Sequence, residues 1–497
     1  MDRSIAEGSP GAPSVEDETD RRASLLVGLL VVLVAGVAYA ASNPVHWNTY
    51  NHFVWQADAF LHGRAWFAYP VQGVPGLPDN WYLQDVYPIS NPTAESLGHG
   101  LLPFPPLPAL VLLPFVAVWG LAADQAAVAI LLAAAGVGAA WWTLGGLRVG
   151  LGVRTAATLV FAGGTAWWWA AAVGSTWYFA HLVAADLALL AVGVTLHHDP
   201  LAVRESPLRE ARQGDVRRAA GRWVGGPWRR LRRATWPPDP SQVLAGFLLG
   251  LAVTARLPIV FAAPWFMLVG GGRSITRRTL STAIGALLPV SALLAYTFLT
   301  SGSFLHPGYD YQYQAEAQGY PTLGYNREWA IEDVRYIPQN LKILFGSMPR
   351  LLPDVLPDTL DMAAPVQLCQ PGDPTRTLFD PGCPLAIPVD VGTSLPFSAP
   401  GLLLVLLAFR RAGPSRLLLG GSAAILLIGA FNLAHFSQGW VQWGYRFSLD
   451  FVPFALPLVA LGAARADGRV RSIAVALVVA GAVVNLWGVT WGKLLGW

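Results

Sequence analysis

Charge is what this sequence most lacks. Only 13% of its residues are Asp, Glu, Lys or Arg, about half of the roughly 25% that a soluble domain carries. Hydrophobic residues make up 54%, and the mean hydropathy is +0.44. A water-soluble chain is excluded. Cysteine is nearly missing too: only Cys369 and Cys383 occur, in one polar stretch without a neighbouring histidine. That argues against a metal site there. If the stretch faces an oxidising compartment, a disulfide is favoured over two free thiols. The chain also lacks a Walker-type glycine loop, HExxH, a nucleophile elbow and CxxC, so soluble nucleotide-driven chemistry has no signature. No internal repeat is evident.

What the sequence does hold is tryptophan and proline, 21 and 39 residues. Tryptophan suits the membrane–water interface, and proline-rich segments suit structured loops and broken helices. Net charge of +3 says little, because the basic residues are clustered near Arg21, Arg204–Arg233, Arg273–Arg278, Arg410–Arg416 and Arg465–Arg471. Such clusters mark cytoplasmic loops. The polar, acidic residues 1–22 read as a disordered cytoplasmic tail. Leu25–Ala41 follows as a retained outward span, since it has no small-residue cleavage site. The ten arginines between Arg204 and Arg233 require residues 197–241 to be cytoplasmic, and are better matched to anionic headgroups than to nucleic acid.

Four apolar stretches lie between: Leu101–Leu121, Gln125–Leu147, Ala156–Val173 and Trp177–Leu196. Four crossings would leave the arginines outside, so one does not cross. "LLPFPPLPALVLLPFVAVWG" carries five prolines and its unbroken part is short of the roughly 20 residues a span needs. It reads as interfacial or re-entrant. "VLAGFLLGLAVTARLPIVFAAPWFMLVGGG" has basic residues on both flanks, which fits two short helices meeting near Arg256. Leu280–Leu299, Phe397–Phe409, Leu417–Leu433, Phe451–Ala464 and Ile473–Val489 complete about eleven spans. The expectation is an all-α polytopic protein of the cell membrane, with residues 23–497 as one membrane domain. Two ordered external loops, 42–124 and 301–395, are rich in Trp, Tyr, Asp and Pro.

Candidate chemistry gathers in those loops and at the span ends. "NHFVWQADAFLHGRAWF", residues 51–67, is an amphipathic helix with Asn51, Trp55, Asp58 and His62 on one face. Asp58 and His62, four apart, can hydrogen-bond; the simpler alternative is a polar stripe facing water. His52, Arg64 and Asp85 are further candidates in the same loop. Arg256, a lone cation between apolar runs, marks either a phosphate site or a snorkelling anchor. Tyr309, Asp310, Tyr313 and Arg327 offer the aromatic faces and charges that bind sugars, though alternating tyrosines also fit a strand edge. In "FSQGWVQWGYRFSLDFVPF", Arg446 and Asp450 have the i,i+4 spacing of a pair on one helix face, with Gln442 and Tyr445 beside them. A buried structural ion pair fits equally well. His181 with Asp186 is a weaker case.

In the order of its parts the chain resembles the GT-C superfamily of membrane glycosyltransferases, near the protein-mannosyl and aminoarabinose transferase group. The parts are "ADAFLHGR" (Ala57–Arg64), "LPFPPLPALVLLPF", a short external turn "GSTWYF", "GLAVTARLP" and "GYRFSLDFVPF", and in architecture the resemblance covers most of Leu25–Pro453. The resemblance implies transfer of a sugar from a polyprenyl-phosphate-linked donor to a glycan, lipid or protein acceptor, in a membrane-lipid setting and without nucleic acid. It implies Arg256 as the cation for the lipid phosphate. His52, His62, Arg64, His181 and the residues named above would line the substrate site. No cofactor is required; a divalent cation is the open alternative. This sequence departs where the group has a catalytic aspartate, since Asn48 and Asn51 stand there, and Phe104 replaces a lysine before Pro-Pro. Asp58 or Asp85 then takes the catalytic role. The alternatives are a lipid-linked substrate transporter or flippase, and a non-catalytic accessory protein of the same fold.

Overall fold

The computed structural model describes residues 15–46, 50–66, 86–88, 100–147, 149–199, 237–272, 274–304, 326, 328–356, 366–370, 372, 375–410, 415–437, 439 and 441–497. Within them the chain is a helical body. Its longer helices are α1 (Val15–Ser42), α4 (Gln125–Gly145), α7 (Thr176–His198), α10 (Ile275–Ser301), α14 (Arg416–Ala434) and α16 (Gly468–Leu495). These six are long and apolar enough to cross a membrane. α5 (Leu151–Gly163) and α6 (Trp167–Val173) make a seventh only if their 46° bend is counted as one broken span. The break falls at Gly163-Gly164-Thr165, where helix propensity is lowest.

The difference from eleven expected spans is one of length. α8 (Pro240–Val253), the segment Leu257–Leu268, which ends in the short helix α9 (Ala263–Leu268), and α15 (Val452–Ala464) are apolar but shorter. The stretch expected to span as Phe397–Phe409 is instead broken into α12 (Leu395–Ser398), a 3₁₀ turn Pro400–Leu403 and α13 (Leu404–Leu407). Pro396 and Pro400 each remove a backbone donor, which a continuous helix cannot absorb. The proline-rich segment forms α3 (Leu107–Trp119), with Pro108 in its first turn and Pro114 inside it. The two short helices foreseen around Arg256 are α8 and the Leu257–Leu268 pair. α1 begins at Val15, within the stretch read as a tail; residues 1–14 lie outside the described residues.

Sequence chemistry fixes the helix starts. Asp124, Asp239, Ser274 and Ser415 each accept a hydrogen bond from a first-turn backbone N–H of α4, α8, α10 and α14, satisfying donors that a helix end leaves orphaned. α7 is the centre: 83% of its apolar window is buried, against 22% for α1 and 28% for α10. A helix apolar all round belongs in a core or in lipid, and the two groups divide on that line. α7 packs on α4 and α8, α8 on α10, and α1 on α4. On α16, Gly488 and Gly492 stand one turn apart and admit the rings of Trp443 and Trp169 where a Cβ would otherwise sit.

Arginines collect at one end of this body. Arg154 donates to the Ser24 hydroxyl of α1 at 2.9 Å, Arg416 pairs with Asp199 beyond the C-terminus of α7 at 3.0 Å, and Arg278 is buried beside them, donating to the Met267 and Gly272 carbonyls. At the other end lie the start of α7, α2 (His52–Leu61) and α11 (Ile337–Gly346). Two short ladders belong to the connecting segments: β1 (Tyr87–Pro88) with β2 (Gly100–Leu101), and β3 (Arg350–Leu351) with β4 (Ala386–Ile387), both antiparallel. Cys369 and Cys383 form the favoured disulfide, with Cα atoms 4.5 Å apart.

Candidate functional site

Asp450 organises the site. It ends a 3₁₀ turn, Arg446–Asp450, that leads into α15, and only 1% of its side chain is exposed. Arg256, held extended between α8 and the next 3₁₀ turn, meets it with two prongs: Nε donates to Oδ1 at 3.2 Å and Nη2 to Oδ2 at 2.9 Å. Asn432 of α14 donates to Oδ2 at 3.0 Å, and His181 of α7 lies 3.0 Å from Oδ1 through Nδ1. A carboxylate with four donors is satisfied and ionised. Because it can only accept, Nδ1 of His181 carries the proton, and Nε2 is buried without a partner among the described residues.

The expected Arg446–Asp450 pair does not form. The five residues are 3₁₀ rather than α-helical, and at three residues per turn positions four apart point about 120° away from one another. Asp450 turns inward to Arg256. Arg446 instead lies between the Tyr178 and Phe447 rings, 5.5 and 5.2 Å from their centroids. It is 8% exposed, and its Nε has no hydrogen-bond partner among the described residues. Gln442 anchors this turn: Oε1 accepts from the Arg446 backbone and Nε2 donates to the Val391 carbonyl. Tyr445 is buried against Phe447, its hydroxyl without a partner among the described residues, so it is part of the packing.

Arg256 and Arg446 both line a cavity of about 320 Å³. Its wall is completed by Pro103, Phe104 and Pro105 ahead of α3, Thr176 and Trp177 at the start of α7, Asn432 and His435 at the end of α14, and Ile331 and Glu332. The Leu107 N–H donates to the Thr254 carbonyl at 3.2 Å, which ties the proline-rich segment to the Arg256 turn. Four of the five segments that carried the family resemblance therefore meet here.

The fifth does not. Asp58, the preferred acid, is not among the lining residues. Its side chain is 25% exposed and its neighbour is His62, whose Nδ1 is 3.6 Å from Oδ2 and 2.8 Å from the Asp58 carbonyl. That pairing is the polar-stripe alternative. Arg64 stacks on Trp66, 5.0 Å from the ring. His52 is fully buried behind the wall, bonded to the Thr176 hydroxyl at 2.8 Å and edge-on to Trp177. His181 is bonded to Asp450 and is not among the lining residues. Asp85, Tyr309, Asp310, Tyr313 and Arg327 lie outside the described residues.

Sequence reading missed Asn432, His435 and Glu332. The first two carried a signal, being polar groups closing an otherwise apolar run. Glu332 carried none: it reaches the cavity because its segment pairs with the chain at His435.

A second cavity, about 660 Å³, follows along the same elements. α3 supplies Leu107 and Val111, α7 Val183, Leu187 and Leu190, α8 Leu251, and α4 Leu132 and Trp142. Among the described residues its one ionisable lining group is Asp186, whose Oδ1 is buried without a partner there. Gly136 makes room for that carboxyl. No group of three or more His, Cys, Asp or Glu that could hold a metal occurs among the described residues. Compared with family models, with curated proteins and with solved structures, the chain matches none.

Proposed function

We propose that this chain is an integral membrane glycosyltransferase that takes a sugar from a polyprenyl-phosphate-linked donor at the extracytoplasmic face. One observation carries the reading: two arginines, Arg256 and Arg446, line one cavity, and a separate, mostly apolar cavity is lined by α3, α4, α7 and α8 of the same body. Planar guanidinium forks suit a phosphate, and an apolar groove suits the isoprenoid behind it. Asp450 holds Arg256 in its buried pair, and Arg446, whose Nε has no hydrogen-bond partner among the described residues, offers the phosphate a second cation. A cation beside the leaving lipid phosphate offsets the negative charge that develops there.

The topology supports the same side for the chemistry. The cavity lies at the Thr176 end of α7, while Arg154, Arg278 and Arg416 gather at the other end, the end from which the chain runs on in sequence to the ten arginines. By the positive-inside rule that end, with the N-terminus, is cytoplasmic. The GT-C reading draws on the order of the parts and on the meeting of four of the five at one cavity. A second reading, a transporter of a lipid-linked substrate, draws on Asp186, because unpaired carboxyls within spans serve as proton relays in transporters.

The test is binding. The full chain in lipid nanodiscs is titrated with decaprenyl phosphate and with decaprenol. The phosphate should bind, and decaprenol should bind at least tenfold more weakly. Arg446→Met should remove about 1.5–3 kcal/mol, the worth of a charge-assisted hydrogen bond. Equal affinity for alcohol and phosphate would refute the site.

A further inference from the structure

Asp450 is a carboxylate with no capacity left, and Asp58 stands off the cavity. Among the described residues, Glu332 is the one carboxylate whose residue lines the cavity with its side chain substantially open, at 45% exposure. Its position is built rather than incidental. The segment through Ile331 and Asp333 pairs with the end of α14: the Phe436 N–H donates to the Ile331 carbonyl at 2.9 Å and the Asp333 N–H to the Ala434 carbonyl at 2.7 Å. Glu332 and His435 face each other across this bridge. The imidazole Nδ1 lies 3.2 Å from Oε1 of Glu332. Asn340 fixes the other strand of the bridge, donating to the carbonyls of Leu433 and His435, both at 2.7 Å.

We propose that Glu332 is the catalytic base of the transferase reading, with His435 as its positioning residue. This rests on the reading given under Proposed function. The acceptor hydroxyl gives its proton to the Glu332 carboxylate as its oxygen bonds to the anomeric carbon. The bond from that carbon to the phosphate oxygen breaks, and the electron pair leaves with the polyprenyl phosphate beside Arg256 and Arg446. Atoms and charge balance without a further reactant. His435 donates through Nδ1 to one carboxylate oxygen, which leaves the other turned to the acceptor. A positioned carboxylate within reach of the acceptor hydroxyl is what general-base catalysis needs. The assignment moves the base from the first loop of the chain to the connection before α11.

The experiment uses the full chain in proteoliposomes with decaprenyl-phosphate hexoses and pentoses as donors and water as acceptor. Released decaprenyl phosphate is measured by mass spectrometry, and decaprenyl phosphate binding is measured alongside. Wild type should turn over at least one donor. Glu332→Gln, nearly isosteric and partly exposed, should fall on the order of 100-fold with binding unchanged. Glu332→Asp should recover part of the rate. His435→Ala should slow release about tenfold, and His435→Asn, which keeps a donor at the Nδ1 place, should restore most of it; a residue needed only for folding would show no such rescue. Wild-type rates in Glu332→Gln overturn this proposal and leave the lipid-phosphate site standing. Phosphate binding without turnover of any donor overturns it equally. Failure of wild type to bind decaprenyl phosphate removes the underlying reading instead, and this one with it.

Discussion

Arg256 and Asp450 stand 194 residues apart in sequence and meet through two parallel hydrogen bonds of 3.2 and 2.9 Å. The contact joins the break after α8 to the turn before α15, and His181 and Asn432 bring α7 and α14 to the same carboxylate. One buried group thus sets the relative placement of four elements around the cavity.

Breaking this pair from either side should cost stability. Asp450→Ala leaves Arg256 facing a vacated, largely buried site, for which about 3–5 kcal/mol is expected. Arg256→Met should cost at least as much, because the carboxylate it leaves unpaired is only 1% exposed, whereas Arg256 itself keeps 21% exposure. In the double variant the two losses should fall short of their sum by about 0.5–3 kcal/mol. Denaturant or thermal unfolding of the purified chain in one detergent measures all three. Strict additivity would show that the pair is not coupled.

Glycine substitutions should separate by their neighbours. Ala at Gly492 would drive a methyl into the Trp169 ring, and at Gly488 into Trp443; both rings are buried and cannot withdraw. Overpacking of this kind costs about 1–3 kcal/mol, more than the roughly 1 kcal/mol of helix propensity that Ala gains over Gly. Gly429, within α14, has nothing within 4 Å of the added atom. There the propensity gain is unopposed, and Gly429→Ala should leave the melting temperature unchanged or higher. A lower value at Gly429 than at Gly492 would contradict the packing.

How far the sequence discloses the site depends on the range of the contact. Arg256 stands out because a cation between apolar runs is conspicuous, and the helices on either side follow from hydropathy. Its partner does not: nothing local links residues 256 and 450, and helical spacing points to Arg446 instead. That inference fails because residues 446–450 wind at three per turn. Asp58 and His62 do approach each other as their spacing demands, but amphipathicity alone cannot say which cavity a polar face borders. Glu332 joins the site through backbone pairing with His435, and such pairing between distant segments leaves no periodic trace. Proline placement is legible in the break at 395–407, although hydropathy by itself also fits a short span there.

The disulfide should stabilise its own segment rather than the cavity. Cys369 and Cys383 are 14 residues apart, and closing a loop of that size is worth about 3 kcal/mol in the chain-entropy treatment. The segment it ties also holds Arg376, which donates to the Pro353 carbonyl and pairs with Asp354. Replacing both cysteines by serine should speed proteolytic cleavage between residues 366 and 387. Decaprenyl phosphate binding should be unchanged. Loss of binding with intact cleavage resistance would place the bridge in the wrong structural unit.

The segment that carries Glu332 has an acid-sensitive clamp next to it. Asp333 accepts from the Arg335 backbone N–H at 2.9 Å, from Nε at 2.9 Å and from Nη2 at 2.6 Å. The Arg335 side-chain hydrogen bonds, with its backbone N–H next, lower the Asp333 carboxyl to about 2. A depressed folded-state pKa means that the contribution is complete above the ordinary carboxyl value, about 4. It declines as pH falls below that value and is gone once pH passes through about 2. Trp329 reports on the clamp, since the Arg335 guanidinium sits 4.4 Å from its ring. The fluorescence difference between wild type and Trp329→Phe should titrate with a midpoint near 2, and Asp333→Asn should abolish that transition while leaving the signal at neutral pH shifted. A midpoint at the ordinary carboxyl value would mean that Arg335 does not hold Asp333 in solution, and that the Glu332 segment owes its position to the pairing with Ala434 and Phe436 alone.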